Sequence, residues 1–195
     1  MMSADLGTGP AGDAGLIDAH RSLLLVIDFQ QRLMPAIADA DAVLRNATIL
    51  AQAAQVLSVP VLVTEQYPAG LGSTAPEIAA WCGQSVEKTT FGACGTPAFL
   101  EAIERLAPCS APILLVSGCE AHVCVLQTAL QLQAHGFDVR LVVDAVGSRR
   151  AISKQIALER MRAAGIGLVT AEMVLFEWLR DAQHPQFRAL SRLIK

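Results

Sequence analysis

One short segment of the chain concentrates side chains that can do chemistry. Residues 117–130 read SGCEAHVCVLQTAL, and they place Cys119, Glu120, His122 and Cys124 where an apolar run changes into a helical pattern. The cluster is open to four interpretations: a metal site, a dithiol redox pair, a cysteine nucleophile, or core packing. The interpretation that holds decides most of what the protein does.

A metal site is the poorest of these interpretations. The C-x4-C spacing with one interposed histidine lacks the C-x2-C or H-x3-H spacing of zinc sites, and no second ligand cluster is evident. A dithiol pair at this spacing also lacks the C-x-x-C turn. We therefore expect no metal and no cofactor. The other cysteines have no evident partner and are interpreted as structural: Cys82, Cys94 and Cys109.

Cys124 is the most informative residue of the segment. It falls in the first turn of a predicted helix, where exposed N–H groups and the helix dipole stabilise a thiolate. This position predicts a thiol pKa below its usual value of about 8.5, and the same N–H groups can receive an oxyanion. The alternative is a small buried residue, because free cysteine is among the most buried residue types.

The elements that position this segment alternate between strand and helix. Apolar runs of strand length are separated by helical patterns, which predicts a parallel sheet covered by helices on both faces. The predicted strands lie in 22–28, 59–66, 83–89, 111–118, 137–148 and 166–172. Helices are predicted at 41–57, 96–106, 151–165 and 173–180, and another follows the fourth strand and ends at Gly136.

In such a sheet, ligands bind beyond the carboxyl ends of the strands, where the strand order reverses. Asp28 follows the first apolar run, and Lys88 follows the third. A buried lysine needs a carboxylate partner, and a strand-end lysine can supply charge to a developing oxyanion. The alternatives are a capping role for Asp28 and a solvated surface position for Lys88. No G-x-G-x-x-G or Walker A motif follows the first strand, so nucleotide binding by those routes is unsupported.

Composition narrows the possible partners. The 195 residues are 53% hydrophobic and 17% charged, and a net charge of −3 gives no electrostatic case for binding nucleic acid or an anionic membrane. We expect a small-molecule substrate, and the sparse surface charge favours a homo-oligomer, a dimer or larger. Five cysteines without an export signal indicate a cytoplasmic location. Residues 1–20 are predicted to form a disordered tail before a single domain at 21–195.

Taken in order, these motifs resemble the isochorismatase-like cysteine hydrolase superfamily. The resemblance runs from about Ser22 to the C-terminus and is carried by LLLVIDFQ, VTEQYPAGLG, EKTTFGA and GCEAHVCVLQTAL, followed by GFDVRLVVDAVGSR. The pieces TEQYP, EAHVC and HPQF resemble especially the isochorismatase domain-containing branch.

The resemblance implies a fold and a catalytic set. The fold is α/β, a three-layer α/β/α sandwich with a mostly parallel, six-stranded, Rossmann-like sheet. The family's catalytic aspartate, lysine and cysteine fall on Asp28, Lys88 and Cys124. The resemblance also implies a cis peptide between Cys119 and Glu120, and an oxyanion hole made by the N–H groups of Glu120 and Cys124. Asp28 would take the thiol proton, Cys124 would attack an amide or carbamoyl carbonyl, and water would hydrolyse the thioester.

The expected substrate pocket is small and partly apolar. Its predicted lining is Phe29, Gln66, Tyr67, Phe91, Cys119 and His122. Nicotinamidases of this superfamily bind a metal through histidines beside the second strand, and the matching TEQYPAGLG has no histidine, which disfavours that activity. True isochorismatases lack the nucleophilic cysteine, so Cys124 argues against that reaction.

Three functional hypotheses follow from the sequence. The leading one is a metal-independent cysteine hydrolase that cleaves a small amide, carbamoyl or related C–N bond through a thioester. The second is a non-catalytic oligomeric binding or interaction protein that retains the hydrolase fold. The third is redox sensing through a reversible disulfide between Cys119 and Cys124.

Overall fold

Six strands form one sheet in which every neighbouring pair is parallel. The structure is a computed structural model that describes residues 15–83 and 85–194. In chain order the strands are β1 Ser22–Ile27, β2 Val61–Gln66, β3 Ser85–Lys88, β4 Ile113–Cys119, β5 Asp138–Gly147 and β6 Gly167–Val169. Each strand overlaps a predicted run, so the predicted six-stranded parallel sheet is confirmed.

The strand order, β3-β2-β1-β4-β5-β6, reverses beside β1. The chain runs outward from β1 to β3, returns to β4 on the other side of β1, and continues outward to β6. Because parallel strands all end at one edge of a sheet, the residues that follow β1, β2, β3 and β4 meet at that edge. This is the place where sheets of this kind bind ligands.

Helices cover the two faces of the sheet. The longer ones are α1 Ala40–Val56, α4 Pro97–Leu106, α5 Leu126–Ala134, α6 Ala151–Ala163 and α7 Ala171–Leu179, and they match the predicted helices. The short ones are α2 Pro68–Leu71, α3 Pro76–Ala79 and α8 Phe187–Leu190. The segment before α5 is a π-helical turn, Ala121–Val125, so the chain enters this helix through a wider turn than predicted.

Alternation along β1 shows how the core divides. Leu24 and Val26 pack in one buried cluster with α1 and α7, whereas Leu23, Leu25 and Ile27 pack in a second cluster with α4, α5 and α6. Successive side chains of a strand point to opposite faces, so a strand buried on both faces is apolar throughout. The two clusters lie on opposite faces of the sheet, and the predicted three-layer α/β/α sandwich is confirmed.

The last residues of the segment predicted as a tail, 1–20, pack against the fold. Ile17 is buried, and its N–H donates to Oε2 of Glu177 on α7 at 2.7 Å. Asp18 caps the 3-10 turn Ala19–Arg21 through the N–H of His20. These residues therefore pack against the fold, while residues 1–14 of the predicted tail lie outside the described residues. Within the described ranges, no helix combines the length and apolarity needed to cross a membrane.

Candidate active site

Asp28 follows β1 directly and has a left-handed backbone, with φ of 53°. That conformation costs a non-glycine residue about 1–3 kcal/mol and persists only where surrounding contacts hold it. The N–H of Asp28 donates to the Thr64 carbonyl at 3.1 Å, and the side chain is fully buried. Its Oδ1 accepts a hydrogen bond from Oγ1 of Thr64 at 2.7 Å. The carboxylate is thereby aimed from β1 across β2.

Lys88, the last residue of β3, meets that carboxylate. Its Nζ lies 2.7 Å from Oδ2 of Asp28, and neither side chain is exposed. The same ammonium donates to Oε1 of Gln66 at 2.7 Å and to the carbonyls of Phe91 and Thr90 at 3.3 and 3.4 Å. A buried ammonium needs this number of acceptors because water cannot supply them. The alternative of a solvated surface lysine is wrong.

Gln66 connects the ion pair to Cys124. Its Oε1 accepts from Lys88 and lies 4.0 Å from Sγ of Cys124, while its Nε2 donates to the Thr89 carbonyl at 2.7 Å. The amide is therefore held in one orientation. Gln66 had been predicted as pocket lining, and the structure places it inside the polar cluster with only 9% of its surface exposed.

Gln30 holds Gln66 in turn. Its side-chain amide accepts from the Gln66 N–H at 2.8 Å and donates to the Gln66 carbonyl at 3.0 Å, as a neighbouring strand would. The same Nε2 donates to the Gly72 carbonyl at 2.6 Å. Gln30 thus ties the end of β2 to the loop that follows it.

Cys124 lies in the π-helical turn and is 6% exposed. Burial, together with the charge of Asp28, raises the pKa of its thiol to about 12, although the charge of Lys88 lowers it. The sequence predicted a lowered pKa from the helix N-terminus, and that prediction is wrong. Desolvation and a neighbouring carboxylate both disfavour a thiolate, and here they outweigh the effects that favour it.

Glu120 begins the same turn, and its peptide bond to Cys119 is cis. Its carboxylate accepts from Nε and Nη2 of Arg149 at 2.8–3.1 Å and from the Arg149 N–H at 2.8 Å. Burial raises the pKa of Glu120, but the hydrogen bonds and charge of Arg149 outweigh it, and the pKa is lowered. The Glu120 side chain therefore joins the turn after β4 to the loop after β5.

The other residues predicted to line a pocket do not lie together in the structure. Phe29 and Cys119 are both fully buried in the core cluster beside α1, so neither offers surface to a substrate. His122 hydrogen-bonds through Nδ1 to Ser148 at 3.0 Å and lines a cavity of about 320 Å³ against α6. Tyr67 and Phe91 are exposed, at 58% and 55%.

A larger cavity, of about 640 Å³, lies beside β3. Tyr67, Glu87, Thr96 and Lys88 contribute to its lining, whereas Asp28 and Cys124 do not. Among residues 15–83 and 85–194, no group of three or more His, Cys, Asp or Glu side chains is arranged to hold a metal ion.

Comparison with known proteins assigns the chain to a family. The isochorismatase domain model matches residues 22–173, which is most of the chain. The chain belongs to the isochorismatase family. Isochorismatase domain-containing protein 2A of Mus musculus is 38% identical over 181 residues, covering 93% of this chain and 86% of the relative. The expected family membership is thereby confirmed.

Solved structures share the same fold. The MAR1 ribonuclease from Caenorhabditis elegans is 34% identical with a TM-score of 0.84, covering 92% of each chain. The YcaC product of Escherichia coli, described as an octameric hydrolase of unknown specificity, is 26% identical with a TM-score of 0.86, covering 96% of this chain and 91% of its own. YcaC from Pseudomonas aeruginosa, solved with covalent acrylamide, is 25% identical with a TM-score of 0.81, covering 93% and 96%.

In this member of the isochorismatase family, sequence reasoning missed Thr64 and Gln30. A signal for Thr64 was available: in VLVTEQ, alternate residues share a face, so Thr64 and Gln66 both point toward the side on which Asp28 and Lys88 meet. Gln30 had only a positional signal, because it follows Asp28 just after the first apolar run. It lies beyond the strand, and its contact with the loop at Gly72 depends on tertiary packing.

Proposed function

We propose that the chain is a metal-independent cysteine hydrolase that cleaves a small amide, carbamoyl or related C–N bond through a covalent thioester. The observation that carries the proposal is the convergence of Asp28, Lys88 and Cys124 in one buried cluster. Burying charge costs free energy that an apolar core would avoid. Here that cost is incurred at the reversal of strand order, where a ligand is expected.

In the proposed first step, the Asp28 carboxylate accepts the Cys124 thiol proton while the sulfur bonds to the substrate carbonyl carbon. The raised pKa of Cys124 supports proton transfer during the attack, because a resting thiolate would be scarce at neutral pH. Lys88, hydrogen-bonded to Asp28, offsets the negative charge that the attack creates in a buried site.

The proposed oxyanion hole consists of the N–H groups of Glu120 and Cys124. Both lie at the start of the helical segment, where the first N–H groups of a helix have no acceptor within it. The bidentate contact with Arg149 supports this assignment, because it holds Glu120 in place from the side-chain end. Donors fixed in advance stabilise the tetrahedral intermediate without reorganising.

The remaining steps return Asp28 and Cys124 to their starting protonation states. Collapse of the intermediate breaks the C–N bond, and the proton on Asp28 moves to the departing nitrogen, which leaves as ammonia or an amine. Water then attacks the thioester and gives a proton to Asp28. The acid product leaves as the Cys124 sulfur takes that proton back.

A cysteine nucleophile also agrees with one relative. The Pseudomonas aeruginosa YcaC structure contains covalent acrylamide, an electrophile that thiols attack. We propose that Cys124 is the residue that would capture acrylamide in this chain, because Asp28 and Lys88 both form side-chain hydrogen bonds with it.

We propose a small-molecule substrate rather than RNA, although one neighbour is named a ribonuclease. The Lys88 ammonium is buried against Asp28, and the chain carries a net charge of −3, which gives no excess of cations to hold a polyanion. The free thiols support a reducing, cytoplasmic setting. The octameric relative and exposed apolar side chains such as Ile152 support a homo-oligomer.

The test is to find the acyl-enzyme. Wild-type protein is incubated with small amides, carbamoyl compounds and amides of nitrogen heterocycles, while released ammonia or amine is assayed and intact mass reports a covalent acyl group. We expect turnover and a mass adduct that maps to Cys124. Cys124→Ala should lose both, whereas Cys119→Ala, the matched buried cysteine, should keep both.

Three outcomes would overturn the proposal in whole or in part. Turnover that survives in Cys124→Ala would exclude the nucleophile. Absence of any adduct or turnover, with intact folding, would favour the non-catalytic binding protein. RNA cleavage that depends on Cys124 would overturn the substrate class while leaving the nucleophile in place.

A further inference from the structure

The cavity beside β3 borders the proposed catalytic cluster at Lys88, and the proposed steps use none of its other lining residues. Its volume is about 640 Å³, and its lining includes Tyr67, Glu87 and Lys88. The side chain of Lys88 is 0% exposed, and its ammonium is bonded to Asp28 and Gln66. Lys88 therefore borders the cavity, but its positive charge is already offset by the Asp28 carboxylate.

Tyr67 is held in an unusual pose at this cavity. Its backbone is left-handed, with φ of 39°, which strains a non-glycine residue. The ring lies directly on Gly70, where an added Cβ would come within 2.6 Å of Cδ1 of the ring. Nη1 of Arg32 fixes the turn below by donating to the Gly70 carbonyl at 3.0 Å. One part of the ring is thus fixed while 58% of the residue stays exposed.

Among the described residues that line this cavity, Glu87 is the carboxylate, and the charge of Lys88 is offset by Asp28. Glu87 lines it and pairs in register with Glu65 of β2, so both side chains lie on the same face of the sheet. Glu65 itself does not line the cavity; its carboxylate accepts hydrogen bonds from the N–H and Oγ1 of Thr74, each at 2.6 Å. No ion pair within 15–83 or 85–194 engages Glu87. The nearby Arg32 contacts carbonyls and does not line the cavity.

We propose that this cavity binds an organic ammonium group, with the cation over the Tyr67 ring and its charge offset by Glu87. The electron-rich ring face and the carboxylate both attract a cation, whereas a neutral or anionic group gains from neither. The ammonium group belongs to the substrate of the adjacent site or to a separate small molecule. The proposal stands independently of the hydrolysis.

Tyr67 provides the readout, because it is the single tyrosine of the chain. Protein labelled with 3-fluorotyrosine should give one 19F resonance, which is followed while choline or its neutral isostere 3,3-dimethylbutan-1-ol is added. We expect choline to shift the resonance saturably at a concentration about fivefold lower than the alcohol requires. The same concentration dependence for both compounds, or no shift with choline, would overturn the proposal.

Glu87→Gln tests the carboxylate. This variant should weaken choline binding about threefold, as expected for loss of one partly exposed charge pair. Glu104→Gln makes the same change at an exposed position of α4 outside the cavity and should bind as wild type does. Equal binding by Glu87→Gln and wild type would contradict the assigned role.

A second arm identifies the source of the ammonium group. The rate at which acrylamide labels Cys124 is measured with and without saturating choline. Slower labelling indicates that the ammonium group belongs to the substrate, whereas an unchanged rate together with choline binding indicates a separate ligand. Both results support the site, and the 19F titration needs no reaction at Cys124, so it remains decisive if the hydrolase proposal fails.

Discussion

Cys119 and Cys124 are two buried thiols in one short segment, and they lie in different chemical surroundings. Cys119 is fully buried in the cluster beside α1, and its Sγ lies 3.9 Å from Sδ of Met34. Cys124 lies in the cluster on the opposite face, next to Asp28, Lys88 and Gln66. Burial raises the pKa of both thiols to about 12. Desolvation alone therefore does not distinguish them.

The difference between them lies in the partners. Asp28 and Lys88 form side-chain hydrogen bonds with Cys124, so a carboxylate can take its proton and an ammonium group can offset the resulting charge. Glu120, Asp28 and Lys154 act on Cys119 through their charges alone, and its Sγ contacts the Met34 thioether. Because the thiols lie in core clusters on opposite faces of the sheet, a disulfide between them would require one side chain to change faces. This geometry argues against the redox-sensor hypothesis.

The largest expected effect comes from removing the base. Asp28→Asn should lower kcat by about 10²- to 10⁴-fold, because proton transfer from Cys124 is lost. The charge of Asp28 raises the thiol pKa and that of Lys88 lowers it, so the variant should also lower the pKa of Cys124. Alkylation of Cys124 by iodoacetamide at pH 7 should then accelerate about tenfold for each unit by which the pKa falls.

Peptide mapping by mass spectrometry measures that rate, with Cys119 as the internal reference in the same digest. Faster alkylation with lost turnover would separate the base role of Asp28 from a general loss of reactivity. Slower alkylation in Asp28→Asn would contradict the electrostatic assignment.

The next largest effect is on stability. Lys88→Met leaves the Asp28 carboxylate buried without its cation, and we expect the free energy of unfolding to fall by about 3–5 kcal/mol. The double variant Lys88→Met/Asp28→Asn should regain much of this stability but no turnover. Urea unfolding measures both. If Lys88→Met were as stable as wild type, leaving the Asp28 carboxylate unpaired would not lower the free energy of unfolding, which would contradict the prediction.

A smaller effect is expected at the other thiol. Cys119→Val keeps an apolar side chain of similar size in the core beside α1, and such swaps usually cost less than about 1.5 kcal/mol. Turnover should change less than about threefold, since no step of the proposed mechanism uses Cys119. Steady-state kinetics measures turnover. If this variant lost activity as Cys124→Ala does, the proposed difference in role between the two thiols would be wrong.

The smallest effect concerns Glu120, which lies between the two cysteines. Because its pKa is lowered in the folded state, its pairing with Arg149 stabilises the fold above the ordinary carboxyl value of 4.5, and this contribution is lost as pH falls through the lowered folded value. Glu120→Gln should therefore lower the urea midpoint slightly at pH 7 and show little difference from wild type in acid. Water screens the exposed Arg149, which keeps the effect small.

The ends of the strands show most clearly how much of the candidate site can be predicted from the sequence. Asp28, Lys88 and Cys124 lie at or just beyond the ends of apolar runs, so the rule that parallel strands end at one edge made them candidates. The family resemblance selected them as a set. The strand-end rule misassigned Phe29 and Cys119, which also follow or end apolar runs but point to the opposite face. Proximity to a strand end does not specify the face, especially at Asp28, where left-handed backbone breaks the alternation.

The amino-acid sequence by itself determined the helices and strands, the parallel direction of the strands and the edge of the sheet at which chemistry is expected. These features follow from apolar periodicity, turn residues and the rules of chain connection. Tertiary structure alone decided which face each side chain joined, how Gln30 and Gln66 complete the cluster, and that the Cys124 pKa is raised. Those outcomes depend on desolvation and on charges brought together from distant segments. A linear pattern carries no measure of either quantity.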